Sequence, residues 1–157
     1  MTVSQRGEDA FRFAFERYTD TVYRVAVHNT DSIADAEDVT QEVFLRLWQN
    51  SKHFRDEEHQ KAWLIRVTIN LCRNRMRTRG RETLMENVPQ AADAAENGSI
   101  LEAVKHLPEA ERNAIYLHYY EGYTAAEIAD TLGSRTNTVL SWLRRGREKL
   151  RQTIDFE

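Results

Sequence analysis

Between Lys61 and Arg81 the chain reads KAWLIRVTINLCRNRMRTRGR, seven basic side chains with no acidic one. On a helical wheel at ~100° per residue, Arg66, Asn70, Arg73, Asn74 and Arg77 fall within an arc of ~100°. Ile65, Ile69, Cys72 and Met76 lie on one flank of that arc, and Leu64, Val67 and Leu71 on the other. A guanidinium grips phosphate through paired N–H donors, and an asparagine amide can hydrogen-bond a base edge. The stripe therefore has the chemistry of a nucleic-acid surface. Arg75 and Arg79 fall off it, Arg81 trails beyond its end, and the three are expected to serve phosphate attraction alone. Trp63 and Phe54 stand nearby, either as platforms for unpaired bases or as core.

A second basic stretch, Arg135 to Arg151 (RTNTVLSWLRRGREKLR), holds six bases against Glu148. Val139 and Leu143 stand at i and i+4, and Gly146 and Leu150 extend the stripe, which is expected to pack on the preceding helix. That helix carries Ala129, small enough for a close crossing, and Gly133 follows, free to take a positive φ in a tight turn. This register is that of a helix-turn-helix. Its outward residues would be Asn137, Thr138, Ser141, Arg144, Arg145 and Arg147. Such a helix reads bases near its N-terminal part and binds phosphates with its cations.

The two stretches carry thirteen bases and one acid, net +12, while the other 119 residues carry nine bases and 24 acids, net −15. The overall charge of −3 thus conceals two cationic surfaces on an acidic body, the footprint of a protein that touches a polyanion in two places. Part of the acid is concentrated: Asp31, Asp35, Glu37, Asp38 and Glu42 follow one another with no base between. Such a face repels DNA, so it is either solvated or meets protein.

The elements that must position these residues are helical nearly throughout. Phe11, Phe15, Tyr18, Val22 and Val25 predict a helix over about Glu8 to His28, and Ala36, Val39, Val43 and Leu47 another over Ile33 to Gln49, with a capping turn between. Lys52 to His59 reads as a loop before the basic helix, Gln60 to Arg77; four or five helices are expected before residue 80. Gly80 to Gly98, with Pro89 and many small residues, reads as a linker. Beyond it the pattern predicts helices over Ile100–His106, Glu109–Tyr120, Thr124–Leu132 and Thr136–Gln152. The expected fold is all-α: two small helical domains, 1–79 and 99–157, joined by a flexible linker over 80–98, the second a four-helix unit containing the helix-turn-helix.

Other classes find little support. No apolar run approaches the ~20 residues needed to span a bilayer, and the N-terminus lacks the apolar core of a signal peptide. A single cysteine, Cys72, excludes an internal disulfide and fits a reducing cytoplasm, most simply as a small core residue. His28, His53, His59, His106 and His118 lack ligand spacing, no carboxylates cluster on a basic surface, and no nucleophile motif occurs. No metal, cofactor or catalytic residue is therefore expected, nor insertion into a membrane.

Three segments in order, DAEDVTQEVFLRLW (Asp35 to Trp48), FR…AWLIRVTINLCRN (Phe54 to Asn74) and LPEAERNAIYLHYYEGYTAAEIADTLG…NTVLSWLRRGREKLR (Leu107 to Arg151), together resemble a bacterial sigma factor of the extracytoplasmic-function group. The resemblance spans nearly the whole chain outside the linker. It implies a transcription initiation factor whose first domain binds the β′ clamp helices of core RNA polymerase through Asp38, Gln41 and Glu42. That domain would recognise and melt the minus-ten element with Arg66, Asn70, Arg73, Asn74 and Arg77, and the loop Lys52 to His59 would hold a flipped base. The second domain would bind the β flap and read the minus-thirty-five element through Asn137, Thr138, Ser141, Arg144 and Arg145. An anti-sigma protein is the implied regulator. The chain departs from the family at Leu140 and Trp142, where Lys or Arg is usual, and at Asn137, commonly Gly, so the family's upstream sequence preference does not carry over. A free-standing helix-turn-helix regulator would explain the second domain but not the Arg/Asn stripe.

Overall fold

The computed structural model describes residues 3–50, 53–83 and 100–154. It divides into two compact units, Met1–Arg79 and Gly80–Glu157.

In the first unit, α1 (Val3–His28), α2 (Ile33–Gln49) and α3 (Glu57–Thr83) are three long helices in place of the four or five expected. Ala14, Tyr18, Val22 and Ala26 of α1 meet Ala36, Val39, Val43, Phe44 and Leu47 of α2, with Leu64 and Cys72 of α3 completing the core. Each fully buried large aliphatic contributes ~1.5–3 kcal/mol relative to exposure. The α1–α2 turn closes on itself. The Asn29 amide donates to the Val25 carbonyl at 2.8 Å and the Thr30 hydroxyl to the Ala26 carbonyl at 2.7 Å. Ser32 caps α2, accepting from the Asp35 N–H at 3.1 Å and donating to Asp35 Oδ2 at 2.9 Å. Burial pushes the Tyr18 hydroxyl above its ordinary pKa and keeps it neutral, and it donates to the Glu57 carbonyl, tying α1 to the start of α3.

α3 is longer at both ends than the spacing predicted. Asp56 Oδ1 accepts from the His59 N–H at 2.8 Å, and His59 Nδ1 accepts in return from the Arg55 N–H at 3.1 Å. This reciprocal cap draws Glu57, Glu58 and His59 out of the expected loop and into the helix. At the other end the helix continues to Thr83, so residues 80–83 are helical where a linker was expected. Gly80 does not stop it, because a glycine within a helix costs only ~1 kcal/mol. Residues 84–98 of the expected linker lie outside the described residues.

The second unit comprises α4 (Ile100–Lys105), α5 (Glu109–Tyr119), α6 (Ala125–Leu132) and α7 (Thr136–Ile154). Val104, Leu107, Ala114, Ile115, Tyr116, Leu117, Tyr123, Ile128, Ala129, Val139 and Leu143 are buried in it. Gly122 takes φ +73° in the α5–α6 turn, where the Tyr123 N–H bonds the Leu117 carbonyl at 2.9 Å and His118 Nδ1 donates to the Tyr123 carbonyl at 2.7 Å. Thr124 caps α6 in a capping box with Glu127, the two bonds measuring 3.1 and 3.0 Å.

Candidate nucleic-acid interface

On α3 the predicted stripe is an outward one. Arg66, Asn70, Asn74 and Arg77 are exposed, while Arg73 is half-buried with Nη1 3.5 Å from Asn70 Oδ1. Leu64, Ile65, Ile69 and Cys72 are buried and Val67 and Leu71 half-buried, so both apolar flanks are covered. The line of the stripe continues towards the start of α3 through Trp63, three residues before Arg66. Trp63 is half-buried against the core, with the Phe54 ring 5.6 Å away, and the His59 ring lies 5.4 Å from Phe54. The stripe of cations and amides therefore ends in a group of three aromatic rings, a surface suited to backbone phosphates beside an unstacked base.

The acidic run of α2 is not one face. Asp38 and Gln41 are exposed, and Glu42 is half-buried with an i,i+4 ion pair to Arg46 at 3.3 Å. Asp35 is buried, and it pairs with Arg75 of α3 at 3.0 Å. Arg75 Nη2 also reaches Asp38 Oδ2 at 2.9 Å. Arg75 is thus not a loose attractor of phosphate: its position off the stripe turns it to α2, where a buried carboxylate requires a cation. Leu45 and Trp48 extend the line of Asp38 and Gln41 and are 49% and 54% exposed. Trp48 stands edge-on to Phe11 at 5.3 Å. Sequence reasoning passed over both, although the wheel that buries Ala36, Val43 and Leu47 places them on the polar side.

In the second unit, Gly133 takes φ +67° and the Ser134 N–H bonds the Ala129 carbonyl at 2.8 Å, which ends α6 and starts the turn into α7. Val139 and Leu143 are buried. Gly146, expected to pack on α6, faces α5: a Cβ there would lie 2.7 Å from Ile115 Cγ1. Outward on α7 stand Asn137, Arg144 and Arg145, with Thr138 and Ser141 half-buried. Leu140 is 50% exposed and Trp142 half-buried. Arg147 and Lys149 are also exposed, and each reaches across to α5. Lys149 Nζ bonds both oxygens of the buried Glu111 at 2.8 and 3.1 Å, and Arg147 Nη1 approaches the Tyr119 hydroxyl at 3.3 Å. An open, largely apolar groove of about 410 Å³ is lined by Ile100, Val104, Ile115, Tyr119, Tyr120 and Leu150, with Arg147 and Arg151 beside them. Its walls come from α4, α5 and α7, so no local pattern reported it.

Cys72 is buried in the core of the first unit. Among the described residues no group of three or more His, Cys, Asp or Glu is placed to hold a metal, and no helix is long and apolar enough to cross a membrane.

Comparison with known proteins adds two family matches: residues 14–82 match sigma-70 region 2 and residues 97–150 match sigma-70 region 4. The chain is similar to the ECF RNA polymerase sigma factor SigE of Mycolicibacterium smegmatis, 33% identical over 152 residues, covering 88% of this chain but only 59% of that protein. It is similar to the ECF RNA polymerase sigma factor SigL of Mycobacterium tuberculosis, 30% identical over 155 residues, covering 91% of this chain and 88% of that protein. The solved sigma factor RpoE of Bartonella quintana, in complex with the anti-sigma factor NepR, superposes with a TM-score of 0.76 at 24% identity, over 93% of this chain and 97% of that one. At that identity the likeness is one of fold.

Proposed function

We infer the activity from one premise: the chain belongs to the extracytoplasmic-function sigma factors of RNA polymerase. It binds core RNA polymerase, directs it to specific promoters and opens the duplex there. The observation that carries this reading is the α3 stripe, with Arg66, Asn70, Asn74 and Arg77 outward and the Phe54–His59–Trp63 rings at its end. Unstacking a base costs a few kcal/mol, and a surface that holds the extruded base and its phosphates offsets part of that cost.

Residues 1–79 form the core-binding and minus-ten domain, 80–98 the connection, and 99–157 the minus-thirty-five domain. Asp38, Gln41 and Glu42 meet the β′ clamp helices, and the exposed Leu45 and Trp48 extend that contact with apolar area. The groove lined by Ile100, Tyr119 and Tyr120 takes the β flap. Arg66, Asn70, Arg73, Asn74 and Arg77 engage the minus-ten element, and Asn137, Thr138, Ser141, Arg144 and Arg145 the minus-thirty-five element. The chain acts in the cytoplasm without inserting into a membrane, holds no metal or cofactor, and carries out no catalysis; polymerisation belongs to the core enzyme. The Bartonella protein is held by an anti-sigma factor, and a protein of that kind is the regulator expected here.

In vitro transcription of a genomic library with core polymerase tests the assignment. Added chain should yield transcripts from a defined set of start sites that share upstream sequence. Initiation no different from core polymerase alone would overturn it, and a dimer that bound a palindrome without polymerase would support the free-standing regulator instead.

A further inference from the structure

Leu140 stands in an unusual place for a leucine. On α7, at ~100° per residue, Leu140, Arg144, Asn137 and Ser141 share an arc of ~100°, away from the buried Val139 and Leu143. Leu140 lies one turn after Asn137 and one turn before Arg144, both exposed, and is itself 50% exposed. Beside it the Ser141 hydroxyl donates to the Asn137 carbonyl at 3.2 Å, which leaves its lone pairs for an incoming donor. An isobutyl group at the edge of a base-reading face cannot form a hydrogen bond. Against a polar base edge it strips water from donors and acceptors and returns nothing. The apolar group that the major groove does offer is the C5 methyl of thymine.

We propose that Leu140 reads one thymine of the upstream promoter element by packing on its C5 methyl. It thereby sets base preference at a position where a lysine or arginine would bind phosphate without regard to sequence. This deepens the assignment of the second unit as the upstream reader and rests on it.

Holoenzyme reconstituted from core polymerase and the full chain is bound to a promoter selected from the library. Each thymine of the protected upstream element, on both strands, is then replaced in turn by deoxyuridine, which removes only the methyl. One replacement should weaken binding by the wild-type chain about fourfold, the value of one buried methyl group. With Leu140→Ala, binding to the unmodified promoter should already be weaker by a similar factor, and that replacement should have no further effect. Ser141→Ala should keep the wild-type sensitivity to the methyl. If wild type and Leu140→Ala respond alike at every thymine, the inference is overturned while the upstream assignment stands. If the wild-type holoenzyme protects no upstream DNA, the parent assignment falls and the inference with it.

Discussion

Arg75 of α3 reaches two carboxylates of α2 at once, with Nε 3.0 Å from Asp35 Oδ1 and Nη2 2.9 Å from Asp38 Oδ2. The two acids differ in setting. Asp35 is buried and also bonded to the capping Ser32, whereas Asp38 is exposed. The pair therefore joins the helix that carries the Arg/Asn stripe to the helix proposed to meet polymerase, through a charge that the fold cannot leave unbalanced.

Arg75→Ala should destabilise the first unit by ~1–3 kcal/mol, below the range for a fully buried pair because the arginine is partly solvated. Thermal unfolding should shift down by several degrees. Asp38→Ala alone should cost less than ~0.5 kcal/mol, since its half of the pair is exposed. Equal losses for the two variants would show that Asp35 is not the partner that matters.

Replacing Asp38 and Gln41 together by alanine should lower the affinity for core polymerase by about 10–100-fold, the range of a contact near the centre of an interface. Competition with a labelled chain for core polymerase measures it. Unchanged affinity, with the fold intact, would sink the clamp assignment.

Asn70→Ala with Asn74→Ala should impair opening more than duplex binding. Each amide–base contact is worth ~1–3 kcal/mol of discrimination, so permanganate reactivity in the minus-ten region should fall about tenfold or more, with closed-complex affinity altered little. Normal permanganate reactivity would remove these residues from the melting step.

On α7 two cations should behave oppositely. Lys149→Ala strands the buried Glu111 and should lower the stability of the second unit by ~1–3 kcal/mol, leaving promoter affinity nearly intact below the melting temperature. Arg144→Ala should leave stability within ~0.5 kcal/mol and weaken promoter binding about tenfold, with a shallower salt dependence. Denaturation curves and binding at two salt concentrations separate the cases; the reverse pattern would reassign both residues.

Gly146→Ala should destabilise the α5–α7 crossing. The added Cβ, 2.7 Å from Ile115 Cγ1, forces a shift costing ~1–3 kcal/mol, against which alanine gains ~1 kcal/mol in helix propensity. Urea titration should show a net loss, and in an Ile115→Ala background, which lacks Cγ1, Gly146→Ala should cost less than it does with Ile115 present if the clash is the cause.

Much of the site was legible because its signals are local. The period of Ile65, Ile69 and Cys72 against Arg66, Asn70 and Asn74 predicts which side of α3 faces water, and the exposures follow that wheel. Gly133 and the Thr124–Glu127 box mark the turn and start of α6 within a few residues. The start of α3 was misread because Asp56 and His59 cap it through a histidine ring, a pairing that sequence patterns do not register. Gly80, Pro89, Gly98 and the small residues between them predict a linker from residue 80, but the penalty of Gly80 is too small to stop a helix already running.

The sequence by itself determined an all-helical chain with two separated cationic surfaces, the line of the Arg/Asn stripe and the helix-turn-helix register. Periodicity, caps and net charge depend on neighbours within a turn or two. Only the tertiary structure decided which charges remain outward. Arg75 meets Asp35 across 40 residues and Lys149 meets Glu111 across 38. A basic residue's type is the same whether it faces a phosphate or a buried acid; what differs is the helix packed beside it. Leu45, Trp48 and Leu140 are about half exposed, on the sides of α2 and α7 turned from the buried residues of those helices.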